Sequence, residues 1–244
     1  MSHIRRREVL AGTALVLLRQ AAAKAGVIAG ELPWAPNTES LPTAARPGPW
    51  FFFTTAEGAA IEALADRIIP PDPETLGGKD AGCAVFLDRQ LAGPYGHNEG
   101  HYNAGPFEKG VEQQGPQNPD TPAVTYRKAL AALDEYCLHA HGGRSWVELS
   151  AQDQDELLHG LESGTVVLPG LDARKFFENL VRDIQQGFFA DPIYGGNRDM
   201  CAWKMIGFPG AHYDYREWVG RHNERWPHPP VGIAGRPAWN PDRS

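Results

Sequence analysis

The stretch Asp191–Gly210 reads DPIYGGNRDMCAWKMIGFPG and combines glycines, prolines and aromatic residues with an Asn-Arg-Asp cluster. Glycine pairs such as Gly195-Gly196 suit a backbone that turns with positive φ or lets another surface come close. Asn197 is a plausible N-cap, which predicts a short helix over Arg198–Ile206 that ends at the following glycine. We therefore interpret the rest of the chain in relation to this stretch.

This stretch has two interpretations. Met200, Trp203 and Ile206 recur at three-residue spacing and would form one apolar stripe, which predicts an element that closes the domain's own core. Alternatively, the stretch is a docking surface, because Trp, Tyr, Arg and Met are enriched at the cores of protein interfaces. The remainder of the chain bears on the choice between them.

Length and composition limit the classes of protein that fit the chain. With 244 residues, 42% of them hydrophobic, it can bury a sizeable core, most simply as one domain with extensions. The formal charge of −7 argues against nucleic acid as a partner, because phosphate binding needs a basic face. The sequence contains no basic amphipathic run of the kind that lies on a membrane surface.

The N-terminus carries an export pattern. Arg6 and Arg7 are followed by Leu10 and by the apolar run Ala11–Leu18, which is too short to span a bilayer, and small alanines come next. The pattern predicts a twin-arginine (Tat) signal over residues 1–25 and hence a periplasmic location. The alternative is a chance arginine run before an alanine-rich helix, and the cleavage site stays open.

Export changes the interpretation of Cys83, Cys137 and Cys201. Thiols tend to pair in an oxidising compartment, and three is an odd number, so one thiol stays free or bonds to another chain. Cys201 lies in the stretch quoted above and is our candidate for an intermolecular bond or a contact thiol. A buried, small apolar cysteine is the alternative.

The chain divides into a linker, a helical body and a tail. Residues 26–49 are rich in Pro, Ala and Thr and predict an extended linker. Residues 50–211 show helical apolar spacing without strand-like alternation, and their predicted N-caps are Thr54 or Thr55, Asp80, Thr121, Ser150 and Asp172. Residues 212–244, rich in Pro and Trp, predict an extended tail that lies along its own domain or a partner.

The clearest helix follows Asp172. Six residues share its apolar side: Phe176, Phe177, Leu180, Val181, Ile184 and Phe188. The sequence as a whole predicts an all-α protein, a single irregular helical domain with long loops and an extended Pro- and Trp-rich C-terminal tail.

Catalytic motifs are absent from the sequence. No GxGxxG follows a strand pattern, and there is no GxSxG, HExxH or CxxCH. His97, Glu99 and His101 lie in a long glycine-rich segment and would suit a metal, but its glycines argue against a helix that holds them. We therefore assign no catalytic, cofactor or metal site. A metal-assisted periplasmic enzyme using these residues, or a small-molecule binding protein using the glycine-rich loop, stays the alternative.

The residues FFADPIYGGNRDMCAWKMIGFPG, with the helix before them and the Tat-type leader, resemble the small (gamma) subunit of gluconate 2-dehydrogenase, or subunit 3. The same family supplies small subunits to membrane-bound FAD-dependent fructose, sorbitol and glucose dehydrogenases. The resemblance covers about Phe53 to Trp218. Its most specific part is the pattern YGGN-x-D-x-x-x-W-K from Tyr194 to Lys204.

The resemblance implies a non-catalytic subunit of a periplasmic oxidoreductase complex that is associated with the inner membrane. The large subunit would be a flavoprotein of the glucose–methanol–choline (GMC) type that carries FAD, and a third, multihaem cytochrome c subunit would carry haem c. This chain would assist maturation, Tat export and stability of the flavoprotein, with no cofactor of its own. The residues that match the motif are the predicted structural and partner-docking set: Tyr194, Asn197, Arg198, Asp199, Trp203 and Lys204.

Overall fold

The computed structural model describes residues 41–101, 105–108, 110–114, 119–212 and 215–235. These residues form six α-helices and no strand, which confirms the all-α prediction. The export signal proposed over residues 1–25, with Arg6, Arg7 and Leu10, and the linker up to residue 40 lie outside the described part and stay predictions. The helices are α1 (Thr55–Ile68), α2 (Cys83–Ala92), α3 (Pro122–Ala140), α4 (Ala151–Ser163), α5 (Ala173–Phe189) and α6 (Cys201–Ile206).

Four of the predicted N-caps are confirmed, because capping is a local interaction that the sequence itself specifies. Thr54 accepts a hydrogen bond from the Glu57 amide at 3.2 Å, and the Glu57 carboxylate accepts one from the Thr54 amide at 2.7 Å, which completes a capping box. The other three caps accept a hydrogen bond from the amide three residues later; they are Thr121, Ser150 and Asp172.

The predicted cap at Asp80 is wrong. Helix α2 begins at Cys83, and its N-cap is Gly82 in the left-handed conformation, with φ of 85°. A Cβ at Gly82 would lie 2.5 Å from the carbonyl oxygen of Gly195. The start of α2 is therefore set by its close approach to the stretch Asp191–Gly210, which is a contact distant in sequence that no local pattern reveals.

The core forms where α5 packs against both α2 and α4. Of the predicted α5 stripe, Phe177 and Val181 are half-buried at its edge, whereas the other four residues are buried: Phe176, Leu180, Ile184 and Phe188. Gly187 lets α5 approach α2 closely, because a Cβ at this position would lie 2.9 Å from the Phe86 ring on α2. The apolar side of α5 thus supplies much of the core, as its sequence indicates.

Two buried carboxylates tie the helices to other segments. Asp88 on α2 accepts hydrogen bonds from the amides of Phe51, Phe52 and Phe53 and pairs with Arg89. A buried charge is tolerated only when it is paired and hydrogen-bonded, and Asp88 meets that condition. It thereby fixes the aromatic segment that leads into α1.

Asp183 on α5 is the second buried carboxylate. It accepts hydrogen bonds from the hydroxyls of Tyr95 and Tyr126, each at 2.9 Å, and from Arg182 at 2.9 Å. Burial, together with the Asp183 charge, raises the pKa of Tyr95 to about 12, so the hydroxyl stays a proton donor at physiological pH. Asp183 therefore joins α5 to α3 and to the segment after α2.

Candidate docking surface

The loop before α6 lies directly on the helical core. Asp191 accepts a hydrogen bond from the Ile193 amide at 3.0 Å and starts a short 3-10 turn. Gly195 then takes φ of 97°, and a Cβ at Gly196 would lie 2.0 Å from the carbonyl oxygen of Gly187 on α5. The first glycine therefore serves the turn and the second serves the close approach.

Asn197 does not cap a helix that begins at Arg198, so that prediction is wrong. Arg198–Met200 is a 3-10 turn, in which Asp199 takes a left-handed φ of 54°, and the α-helix begins only at Cys201. The Asn197 side chain is buried; it donates to the Ala190 carbonyl at 2.9 Å and accepts from the Ala202 amide at 3.0 Å. The Asn197 side chain thus supplies an acceptor for an amide in the first turn of α6, five residues later in the sequence, that has no acceptor within the helix.

The predicted apolar stripe on this helix is not a single buried face. Trp203 is buried, and its indole Nε1 donates to the carbonyl oxygen of Phe189 at 2.9 Å. Met200 is half-buried and lies before the helix, whereas Ile206 is exposed. The shift of the helix start to Cys201 explains the difference, because Met200 has left-handed backbone and does not share the helical periodicity.

The predicted docking residues fall into two groups. Asn197 and Trp203 are buried and hold the loop against α5, which is the structural half of their predicted role. The other four residues are exposed, and their docking role stays a prediction: Tyr194, Arg198, Asp199 and Lys204.

Sequence reasoning missed a set of exposed apolar side chains beside this loop, which we call the Trp203 patch. Its members and their exposed fractions are Phe189 (41%), Met205 (49%), Ile206 (58%) and Phe208 (44%). The available signal was the apolar content of Ala202–Ile206, which has more apolar residues than one face of a six-residue helix can bury. An exposed cluster of this kind is typical of an interaction site.

The tail returns to its own domain next to this surface. Val231 is buried; its amide donates to the carbonyl oxygen of Pro209 at 3.2 Å, and its carbonyl accepts from Ala211 at 2.7 Å. The Ile233 amide donates to the second carboxylate oxygen of Asp191 at 2.7 Å. Of the two positions left open for the tail, residues 231–233 therefore lie along the domain itself.

The thiols of Cys83 and Cys201, in the described part of the chain, have a raised pKa. Burial, with a smaller contribution from Cys201, raises the pKa of the Cys83 thiol to about 12. Burial also raises the pKa of Cys201, which is half-buried, so both thiols are protonated and weakly nucleophilic at neutral pH. His97 is exposed, and the described residues contain no group of three or more His, Cys, Asp or Glu that could hold a metal ion.

Comparison with known proteins identifies the family of this chain. The family model described as gluconate 2-dehydrogenase subunit 3 matches residues 55–210, which begin with α1 and end with the Asp191–Gly210 stretch. The chain belongs to the gluconate 2-dehydrogenase subunit 3 family. No curated protein and no solved structure matches it. Within the described ranges, every helix is too short or too polar to cross a membrane.

Proposed function

We propose that the chain is a non-catalytic small subunit of a periplasmic, FAD-dependent sugar or sugar-acid dehydrogenase complex. The observation that carries the proposal is the Trp203 patch, which lies in the part of the chain that matches the dehydrogenase subunit family. Exposed apolar side chains that lie close together are typical of interaction sites on soluble proteins. The absence of catalytic motifs from the sequence agrees with a supporting role.

The proposed partners follow from the family. The flavoprotein large subunit, of the GMC type, carries FAD and the sugar site, and a multihaem cytochrome c subunit carries haem c and connects the complex to the membrane. Tyr194, Arg198, Asp199 and Lys204 face the flavoprotein, while Asn197 and Trp203 keep the loop in shape. Cys201, half-buried at the start of α6, is the proposed contact thiol or the site of an intermolecular bond.

The proposed contribution to export has a physical reason. The Tat route carries folded proteins, and a flavoprotein must bind FAD before it crosses the membrane. A leader on this chain, with Arg6, Arg7 and Leu10, would therefore carry a tightly docked and already mature partner. Stability of the flavoprotein then depends on this subunit by mass action, because binding favours the folded state of both chains.

A pull-down of the tagged chain from the periplasmic and membrane fractions of its native host tests the proposal. We expect an eluate with flavin absorbance and dye-linked dehydrogenase activity, together with one large partner chain. An untagged strain is the control for material that binds the resin. A colourless eluate that contains only this chain would contradict the proposal.

A further inference from the structure

The members of the Trp203 patch lie on α6, shortly after it, or at the end of α5, where the Trp203 indole is hydrogen-bonded. The ring of Phe208 lies 5.2 Å from the ring of Trp203, and the carbonyl of Phe189 accepts the indole hydrogen bond. Met205 and Ile206 follow Trp203 on α6 and are about half exposed. Met205, Ile206 and Phe208 thus lie within four positions of one another in the sequence, and the Trp203 indole joins their helix to the backbone of Phe189.

The cations beside the patch differ from those in the rest of the helical body. Between residues 55 and 208, the described Lys and Arg side chains lie within 4.0 Å of a carboxylate, with two exceptions, Arg198 and Lys204. The chain has a formal charge of −7, so carboxylates are in excess, and yet no ion pair within 4.0 Å joins either of these two side chains to a described carboxylate. The two unpaired cations are thus available to an external acidic group.

The surface is already built in this chain. Phe208 donates its amide to the Trp203 carbonyl at 2.8 Å after Gly207, which takes a left-handed φ of 72°. Asn197 holds the first turn of α6 through the bond from the Ala202 amide, and Trp203 joins the helix to the end of α5 through its bond to the Phe189 carbonyl. A surface held in this way loses little conformational entropy when a partner binds, which favours affinity.

We propose that the Trp203 patch, together with Arg198 and Lys204 of the same stretch, is the docking face for a protein surface that presents apolar side chains flanked by carboxylates. The proposal rests on the proposed function, and its occupant is the flavoprotein large subunit. Apolar contact supplies affinity at the centre, while complementary charge at the border sets orientation and association rate. The carboxylates of the partner take the places that this chain leaves empty beside its two cations.

A protein partner fits these observations better than a membrane surface. Membrane-surface helices carry several Lys and Arg residues, because each contributes to attraction by anionic lipids. The patch has two cations with the carboxylate of Asp199 between them in sequence, and it belongs to an acidic chain. Helix α6 is also only six residues long, which is short for an element that lies in a bilayer interface.

The test repeats the pull-down with variants of the patch. We expect Ile206→Asp to lower the captured dehydrogenase activity by about tenfold or more, since a charge would enter the apolar centre of the interface. The matched control is Val167→Asp, whose side chain is 72% exposed between α4 and α5 and which should capture activity within about twofold of the unmodified chain. Circular dichroism and the melting temperature confirm that both variants fold.

A charge reversal keeps the test decisive if Ile206→Asp folds poorly. Lys204→Glu changes an exposed side chain, and we expect it to weaken capture several-fold and to reduce the loss of binding that added salt causes. Lys175→Glu, on the exposed side of α5, is the matched control and should leave capture unchanged.

The outcomes separate this inference from the proposed function. If the unmodified chain captures activity and the patch variants capture it equally well, the docking face is overturned while the subunit role stands. If the unmodified chain captures no activity, both are overturned. The purified chain is also tested for binding to phosphatidylglycerol–phosphatidylethanolamine vesicles and for self-association. If Ile206→Asp abolishes vesicle binding while capture persists, the patch belongs to a membrane contact and the inference is overturned. If it abolishes self-association while capture persists, the patch belongs to a second copy of the chain, which also overturns the inference.

Discussion

Helix α5 and helix α6, which lies in the stretch Asp191–Gly210, differ in how they place apolar and charged side chains. Helix α5 buries its apolar stripe, whereas α6 exposes Met205 and Ile206. The described cations of α1–α5 have carboxylate partners, whereas Arg198 and Lys204 have none among the described residues. The first arrangement stabilises this chain, and the second agrees with the docking role proposed above.

The two regions also differ in backbone strain. Five described non-glycine residues have left-handed φ, and three of them lie among four consecutive positions inside the stretch: Asn197, Asp199 and Met200. Left-handed backbone is costly for most residues, and it persists only where the surroundings enforce it. The hydrogen bonds of Asn197 and the packing of Gly196 on α5 supply that enforcement.

The prediction with the largest expected effect asks whether Trp203 stabilises the core of the chain or serves docking. Trp203→Ala removes a buried indole and its hydrogen bond to Phe189, so we expect the free energy of unfolding to fall by about 3–5 kcal/mol in urea titrations. The control Val219→Ala changes an exposed side chain and should shift it by less than about 0.5 kcal/mol. A loss for Trp203→Ala as small as that of the control would return Trp203 to the docking residues.

A smaller effect separates hydrogen bonding from backbone strain at Asn197. Asn197→Ala loses the bonds to Ala190 and Ala202 and must keep a φ of 46°, so we expect a loss of unfolding free energy of about 2–3 kcal/mol. Asn197→Gly loses the same bonds but adopts that φ freely, and about 1 kcal/mol of the loss should be absent. Equal losses for the two variants, measured by urea unfolding, would show that backbone strain at this position is negligible.

Local interactions account for the parts of the fold that sequence predicts well. Thr54, Thr121, Ser150 and Asp172 cap helices because each side chain reaches an amide three residues away, and the sequence alone specifies that distance. The stripe on α5 follows from helical periodicity in the same way. The predicted cap at Asp80 was wrong because the start of α2 depends on a contact with Gly195, which lies more than one hundred residues later.

The candidate site was predictable in position but not in detail. Its glycines and aromatic residues mark the stretch, yet three left-handed residues among four consecutive positions displace the helix start, and no spacing rule reveals that. Asp88 carried a readable signal, an acid within the apolar run AVFLDRQL, because a buried carboxylate requires donors from elsewhere. Which donors it finds, the amides of Phe51 to Phe53, depends on the folded chain.

The smallest effect concerns the paired charges of the helical body and is pH-dependent. Burial by itself raises the pKa of Glu57, but hydrogen bonds from Arg127 and Thr54 outweigh it and place the pKa below its ordinary value. A carboxyl with a lowered folded-state pKa stabilises the fold above its unfolded pKa, about 4.3, and that contribution is lost as pH falls through the folded-state pKa. Glu57→Gln should therefore reduce the free energy of unfolding by about 1 kcal/mol at pH 7 and by less at pH 3.

Urea titrations at both pH values measure this difference, and Glu99→Gln, which changes an exposed residue, is the control. An equal difference between Glu57→Gln and the unmodified chain at the two pH values would mean that the capping box and ion pair of α1 add no charge-dependent stability.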